Sequence, residues 1–195
     1  ILDLNFELLR RVFNDAAFDH NNWPALLEEA LDEFDPSIVG ISCLFDMAIG
    51  PMLEVLERVR RRNRAIVIAG GVIATYEWKT LLSQKLAHFV VRGEGENKLN
   101  FLLDKLTRKS FDTNATPGIF FNDGEMRESR GNPDVVVVHG NLIDSYDLVP
   151  IETYSKYGSL NPYSRQTDAL GHAFAAIQLT RGCRAECTFC AVRDF

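Results

Sequence analysis

Three cysteines, Cys183, Cys187 and Cys190, fall within eight positions of one another in a chain that holds four in all. The fourth, Cys43, lies far upstream, so the set is no disulfide framework; it is a spacing at which three thiolates converge on one metal centre. Thiolates bind iron well, and a cubane cluster has four irons. Three cysteines therefore leave one iron open to chelate a substrate or cofactor, which a four-cysteine structural site cannot do. The alternative is a structural zinc completed by a remote ligand. Zinc modules pair two CxxC-like units or add histidines at set spacing, and His172 is the only histidine near this loop.

The elements that carry such a loop must deliver it to a functional face. Phe174 to Leu179 (FAAIQL) reads as a strand running straight into Arg181-Gly182-Cys183, which puts the metal loop at a strand's carboxyl end, as in an α/β barrel. Further upstream, residues 1–110 alternate strand-like and helix-like segments. Ile1 and Leu2 read as the remnant of a first strand. Phe6, Leu8, Leu9, Val12 and Phe13 predict a helix, and Pro24 opens a second with Leu27, Ala30, Leu31 and Phe34 on one face. Ile38 to Cys43 is a β-branched run of the kind buried in parallel sheets. A helix from about Pro51 carries Met52, Val55, Leu56 and Val59. Ala65 to Ala69 predicts a strand, Gly70-Gly71 a turn, and Tyr76 to about Leu86 a helix. Phe89 to Val91 is a strand leading through Arg92-Gly93-Glu94-Gly95-Glu96 into a helix with Leu99, Leu102, Leu103 and Leu106.

This alternation predicts a doubly wound, Rossmann-like parallel sheet, whose ligands sit beyond the carboxyl ends of the strands. The loops after Cys43, Ala69 and Val91 should then line one site. Gly70 and Gly71 let backbone approach a bulky ligand, Ser42 offers a hydroxyl, and the turn before Glu96 opens a helix with free amides. Each feature also has a plain structural reading, as turn glycines and a small satisfied serine. Gly118 to Glu128 predicts a hairpin around Asp123-Gly124. Residues 129–171 read as a surface linker with a brief strand at Val135 to Val138. The expected organisation is an α/β domain over 1–110, hairpin and linker over 111–172, and the start of a catalytic domain over 173–195.

The net charge of -6 argues against a large nucleic-acid footprint. Arg60, Arg61, Arg62 and Arg64 are expected at a helix C-terminus, where cations meet the negative end of the dipole. No apolar run is long enough for a membrane helix and no signal-like leader is visible, so a cytoplasmic protein is expected. A start at Ile1 and a stop five residues after Cys190 suit a fragment, which by itself is expected to be catalytically inactive.

Leu179 to Cys190 (LTRGCRAECTFC) resembles the cluster loop of the radical S-adenosylmethionine (SAM) superfamily, with an apolar strand, RGC, and an aromatic before the third cysteine. The resemblance implies a 4Fe–4S cluster on Cys183, Cys187 and Cys190, SAM on the open iron, and Phe189 packed beside both. Asp35 to Leu106 resembles the cobalamin-binding domain found upstream of many such enzymes, through Val39 to Cys43, Ala69 to Thr75 and Val91 to Glu96. Ser145 to Tyr154 (SYDLVPIETY) resembles the stretch that precedes their barrel.

Cofactor contacts are then implied for Ser42, Cys43, Leu44 and Phe45, for Gly70, Gly71, Val72 and Thr75, and for Gly93, Glu94 and Gly95. The loop from Leu44 to Met47 would face the lower side of the cobalt. The D-x-H-x-x-G cobalt-ligand motif of methionine synthase is absent, and Asp19-His20 has the wrong spacing to replace it. Cobalamin would be held without a protein ligand, or the domain would be a scaffold that has lost it. The implied activity is a cobalamin-dependent radical methyl transfer to a small-molecule substrate, fed by an electron donor such as a flavodoxin or ferredoxin. Radical cyclases and rearrangement enzymes share the architecture. Methylthiotransferases bring a second set of cluster cysteines, which Cys43 alone cannot supply.

Overall fold

The computed structural model describes residues 1–109, 118–129, 151–157, 185 and 187–190. The chain divides into two compact units, one of 1–35 with 138–181, the other of 36–137 with 182–195.

In the first unit, α1 (Leu4–Asn14) is capped by Asp3, whose carboxylate accepts the Phe6 amide at 3.0 Å. Residues 1–3 have no strand structure, so the expected first strand is not found at Ile1 and Leu2. A short turn, His20–Asn22, is capped by Asp19 and leads into α2 (Trp23–Phe34), which has Pro24 in its first turn and Asp35 in the left-handed conformation at its end. A helix within the stretch read as linker, α6 (Ile151–Tyr157), packs Tyr154 flat on Phe6 at 4.2 Å between ring centroids and donates its hydroxyl to Asp3. Burial and the Asp3 carboxylate push the Tyr154 phenol well above its ordinary range.

The second unit is built on a five-stranded sheet in the order β1-β2-β3-β4-β5. Its first three strands, β1 (Ile38–Ser42), β2 (Ile66–Gly70) and β3 (Phe89–Val91), are parallel. They are joined by α3 (Ile49–Arg62) and α4 (Gly71–Ser83). The apolar stripe of α3 is the one expected, with Met52, Val55, Leu56 and Val59 all buried. Its Arg60 to Arg62 close the last turn before Asn63, and Arg60 reaches across to the Lys85 carbonyl at 2.8 Å.

After β3, α5 (Glu96–Thr107) leads to the hairpin β4 (Ile119–Asn122) and β5 (Met126–Glu128), which turns at Gly124 with φ +117°. The hairpin does not stand apart: β4 pairs antiparallel with β3, so the sheet is mixed. Strand alternation gives it two covered faces. Ile68, Val91 and Ile119 pack with Leu102 of α5, while Phe120 points the other way and meets Trp78 of α4 at 4.3 Å. Fully burying Leu102 is worth about 1.5–3 kcal/mol, enough to hold α5 on its face.

Candidate functional site

The parallel strands end together. Ser42 of β1 lies opposite Gly70 of β2, and Ala69 opposite Val90, so the turns after Ser42, Gly70 and Val91 leave from one edge. That edge is the carboxyl end where open α/β sheets bind ligands.

Gly71 begins α4 without an intervening loop, five residues earlier than the periodicity suggests, and takes φ +86°. A β-carbon on Gly71 would lie 2.6 Å from the Cys43 carbonyl oxygen and 2.9 Å from the Ser42 hydroxyl oxygen. The close approach Gly71 permits is thus made by the chain's own β1 loop. The Cys43 amide donates to the Gly70 carbonyl at 3.3 Å, and the Cys43 carbonyl accepts the Ile73 amide at 3.2 Å, capping α4 with backbone. Gly70 differs: its backbone is extended and a β-carbon there would meet nothing nearer than the Val91 carbonyl at 3.9 Å. No other atom comes within 4 Å of that position. Val72, next along, is half-buried in the first turn of α4.

The loop after Cys43 is apolar and uncovered. Leu44 is 60% exposed, Phe45 61% and Met47 90%. Single exposed apolar residues need no explanation, but here three large ones fall within four positions at the carboxyl edge of the sheet. The Cys43 thiol is half-buried and points to the Phe45 carbonyl at 3.5 Å.

Thr75 is 2% exposed, and its hydroxyl donates to the Gly71 carbonyl at 3.0 Å while accepting the Gly93 amide at 2.9 Å. It therefore lies beneath the surface and holds the Gly93 turn rather than lining the edge. Gly93 needs its φ of +64°, and Gly95 starts α5 with no side-chain cap. Glu94 is half-buried in this turn. Lys98, which periodicity alone does not single out, donates to the Arg92 carbonyl at 2.6 Å. Burial pushes its ammonium below the usual lysine range, against the opposing pull of Glu94.

The described part of the cysteine loop is a turn in which the Cys190 amide donates to the Cys187 carbonyl at 3.1 Å. Cys187 is exposed, Cys190 half-buried and both thiols are free. Phe189 is 90% exposed. Cys183, the strand expected at 174–179 and that expected at 135–138 lie outside the described residues. Two thiols on one turn suit a thiolate-bound cluster. Among the described residues, no three His, Cys, Asp or Glu side chains gather as a metal site.

The lining also suits cobalamin: an exposed apolar loop and a glycine with nothing close over it lie at one edge, bordered by the turn through Gly95. His88 does not reach it as an axial ligand, because it precedes β3 at the opposite end of the sheet, where its Nδ1 accepts the Val67 amide at 2.8 Å. His20 is exposed in the first unit.

An open mixed α/β sheet with its ligand edge formed by the β1, β2 and β3 turns defines a cofactor-binding domain. The model of the B12 binding domain matches residues 3–103, and the chain belongs to that family. An uncharacterized methyltransferase of Pyrococcus horikoshii is 28% identical over 85% of this chain and 33% of its own length. The anaerobic magnesium-protoporphyrin IX monomethyl ester cyclase of Synechocystis is 30% identical over 69% of this chain and 25% of its own. The chain thus spans about a quarter to a third of the curated relatives it matches. Among solved structures, the radical SAM methyltransferase TsrM of Kitasatospora setae, with cobalamin and a 4Fe-4S cluster bound, is similar at a TM-score of 0.49 and 21% identity, covering 71% of this chain and 27% of that one. No helix among the described residues is long and apolar enough to cross a membrane.

Proposed function

We propose that this chain is the cobalamin-binding part of a radical SAM methyltransferase. The observation that carries the reading is the uncovered Leu44, Phe45 and Met47 beside the open face of Gly70 at the ligand edge of a B12-binding fold. These side chains would cover one face of the corrin ring and exclude water from it, while the turn that Thr75 fixes, through Gly95, would border its polar periphery. Cys183, Cys187 and Cys190 would hold the cluster, with Phe189 shielding it. When bound, cobalamin supplies the methyl group and the cluster with SAM supplies a deoxyadenosyl radical; the protein binds, orients and keeps the site dry.

A small-molecule substrate, a flavodoxin- or ferredoxin-like electron donor and a cytoplasmic location belong to the same proposal. A second reading, radical cyclisation without methyl transfer, is favoured by the 30% identity to the Synechocystis cyclase. The full-length protein, incubated anaerobically with SAM, cobalamin and reductant, separates the readings. S-adenosylhomocysteine beside deoxyadenosine supports methyl transfer, deoxyadenosine without it supports the cyclase reading, and neither product overturns both.

A further inference from the structure

The turn after β3 is held at its backbone by three separate elements. The Arg92 amide donates to the Gly118 carbonyl at 2.8 Å, at the start of the hairpin. The Arg92 carbonyl accepts the Lys98 ammonium of α5 at 2.6 Å. The Gly93 amide donates to Thr75 of α4 at 2.9 Å. Lys98 itself is seated by the hairpin: a β-carbon on Gly118 would come within 3.0 Å of both Lys98 Cε and Nζ, so the ammonium occupies the space that the missing side chain leaves. Gly118 is fixed in turn, its amide donating to the Glu128 carboxylate of β5 at 3.2 Å.

We infer that Lys98 is a positioning residue for the cobalamin site: seated on Gly118, it clamps the Arg92 carbonyl and sets the turn through Gly95 that borders the ligand edge. The inference rests on the proposed cobalamin binding and adds to it the hairpin β4–β5, which lies outside the 3–103 span of the B12-binding match. Lysine suits the task because an ammonium donates strongly to a carbonyl, and a half-buried one has few competing waters. Glu94, Glu96 and Glu128 offset its charge, and Arg92 opposes it.

The test is a double-mutant cycle on corrinoid affinity, read with hydroxocobalamin by equilibrium dialysis of the purified chain. Lys98→Met keeps the stem and removes the donor; Gly118→Ala displaces the ammonium from the other side and adds the backbone strain of φ +80°, which its effect in the Lys98→Met chain reads out. Each is expected to weaken binding roughly tenfold, as loss of a charged hydrogen bond does. Sharing one contact, the two together should weaken it by clearly less than the product of their separate effects, the remainder being the strain on the alanine. Circular dichroism of each variant should match the wild type, since the substitutions act on a turn. Equal affinity of Lys98→Met and wild type, or fully additive losses, overturns the inference while leaving the cobalamin reading intact. A wild-type chain that binds no corrinoid overturns the cobalamin reading, and this inference with it.

Discussion

Gly71 and Cys43 are packed so tightly that a β-carbon on the first would lie 2.6 Å from the carbonyl oxygen of the second. The contact locks the start of α4 to the β1 turn, and both its partners are backbone, which cannot swing aside. Gly71→Ala adds this clash to the strain of φ +86° and is expected to cost about 3 kcal/mol, the sum of modest strain and overpacking. Gly40→Ala, in β1 with nothing within 4 Å, should stay within about 0.5 kcal/mol. Urea unfolding of the two variants checks the contrast; equal costs would mean the β1 turn yields.

Thr75 holds Gly93 through a buried hydroxyl. Thr75→Val keeps the shape and leaves the Gly93 amide unpaired, at a cost of about 1–3 kcal/mol. Thr75→Ser should restore most of it. Hydrogen exchange at Gly93 is the direct readout: protection should fall in the valine variant and return with serine.

His88 lies between the Val67 amide and the Arg60 guanidinium, whose Nη1 approaches its Nε2 at 2.6 Å. Burial, and then Arg60, hold its pKa below the ordinary 6.5. The unfolded chain therefore takes up this proton first as pH falls. The stability that the neutral ring secures is whole above 6.5 and is lost as pH drops through that value towards the folded pKa. Urea midpoints at about pH 8 and about pH 5.5 should differ more in the wild type than in His88→Gln, given the ordinary histidine range. An unchanged difference in the variant assigns the acid sensitivity elsewhere.

Much of this architecture was legible in the residues. The stripe of Met52, Val55, Leu56 and Val59, the run of Phe89 to Val91 and the Asp123-Gly124 turn are local patterns, and local patterns survive folding. What escaped is tertiary. No periodicity shows that Gly71 starts a helix, because its reason is the approach of Cys43 from another strand. Thr75 was marked as a cofactor contact and not as the buried holder of Gly93, and Lys98 carries no motif; their partners lie 18 and 6 residues away and meet them only once the sheet edge has formed. The hairpin was readable, its place against β3 was not, since Ile119 and Phe120 serve opposite faces only in that register. The helix at 151–157 was hidden by its short length and mixed composition, and Tyr154 on Phe6 explains it.

The cysteine loop makes its own prediction. Anaerobic reconstitution with iron and sulfide should give a cluster-bearing chain with the broad visible absorption of thiolate-bound iron. Cys183→Ala, Cys187→Ala and Cys190→Ala should each remove it, and Cys43→Ala should not. Loss of iron only in the Cys43 variant would contradict the assignment.

The central claim is that the edge bearing Leu44, Phe45 and Met47 is a cobalamin site, and the most direct measurement is corrinoid retention. The purified chain is incubated with hydroxocobalamin, desalted and read by visible absorption, with circular dichroism as the check on folding. The account predicts about one corrinoid per chain, as saturable binding to a single folded site requires, and loss of retention in the doubly substituted Phe45→Asp, Met47→Asp chain. No retention by the folded wild type, or undiminished retention by the folded double variant, would contradict it.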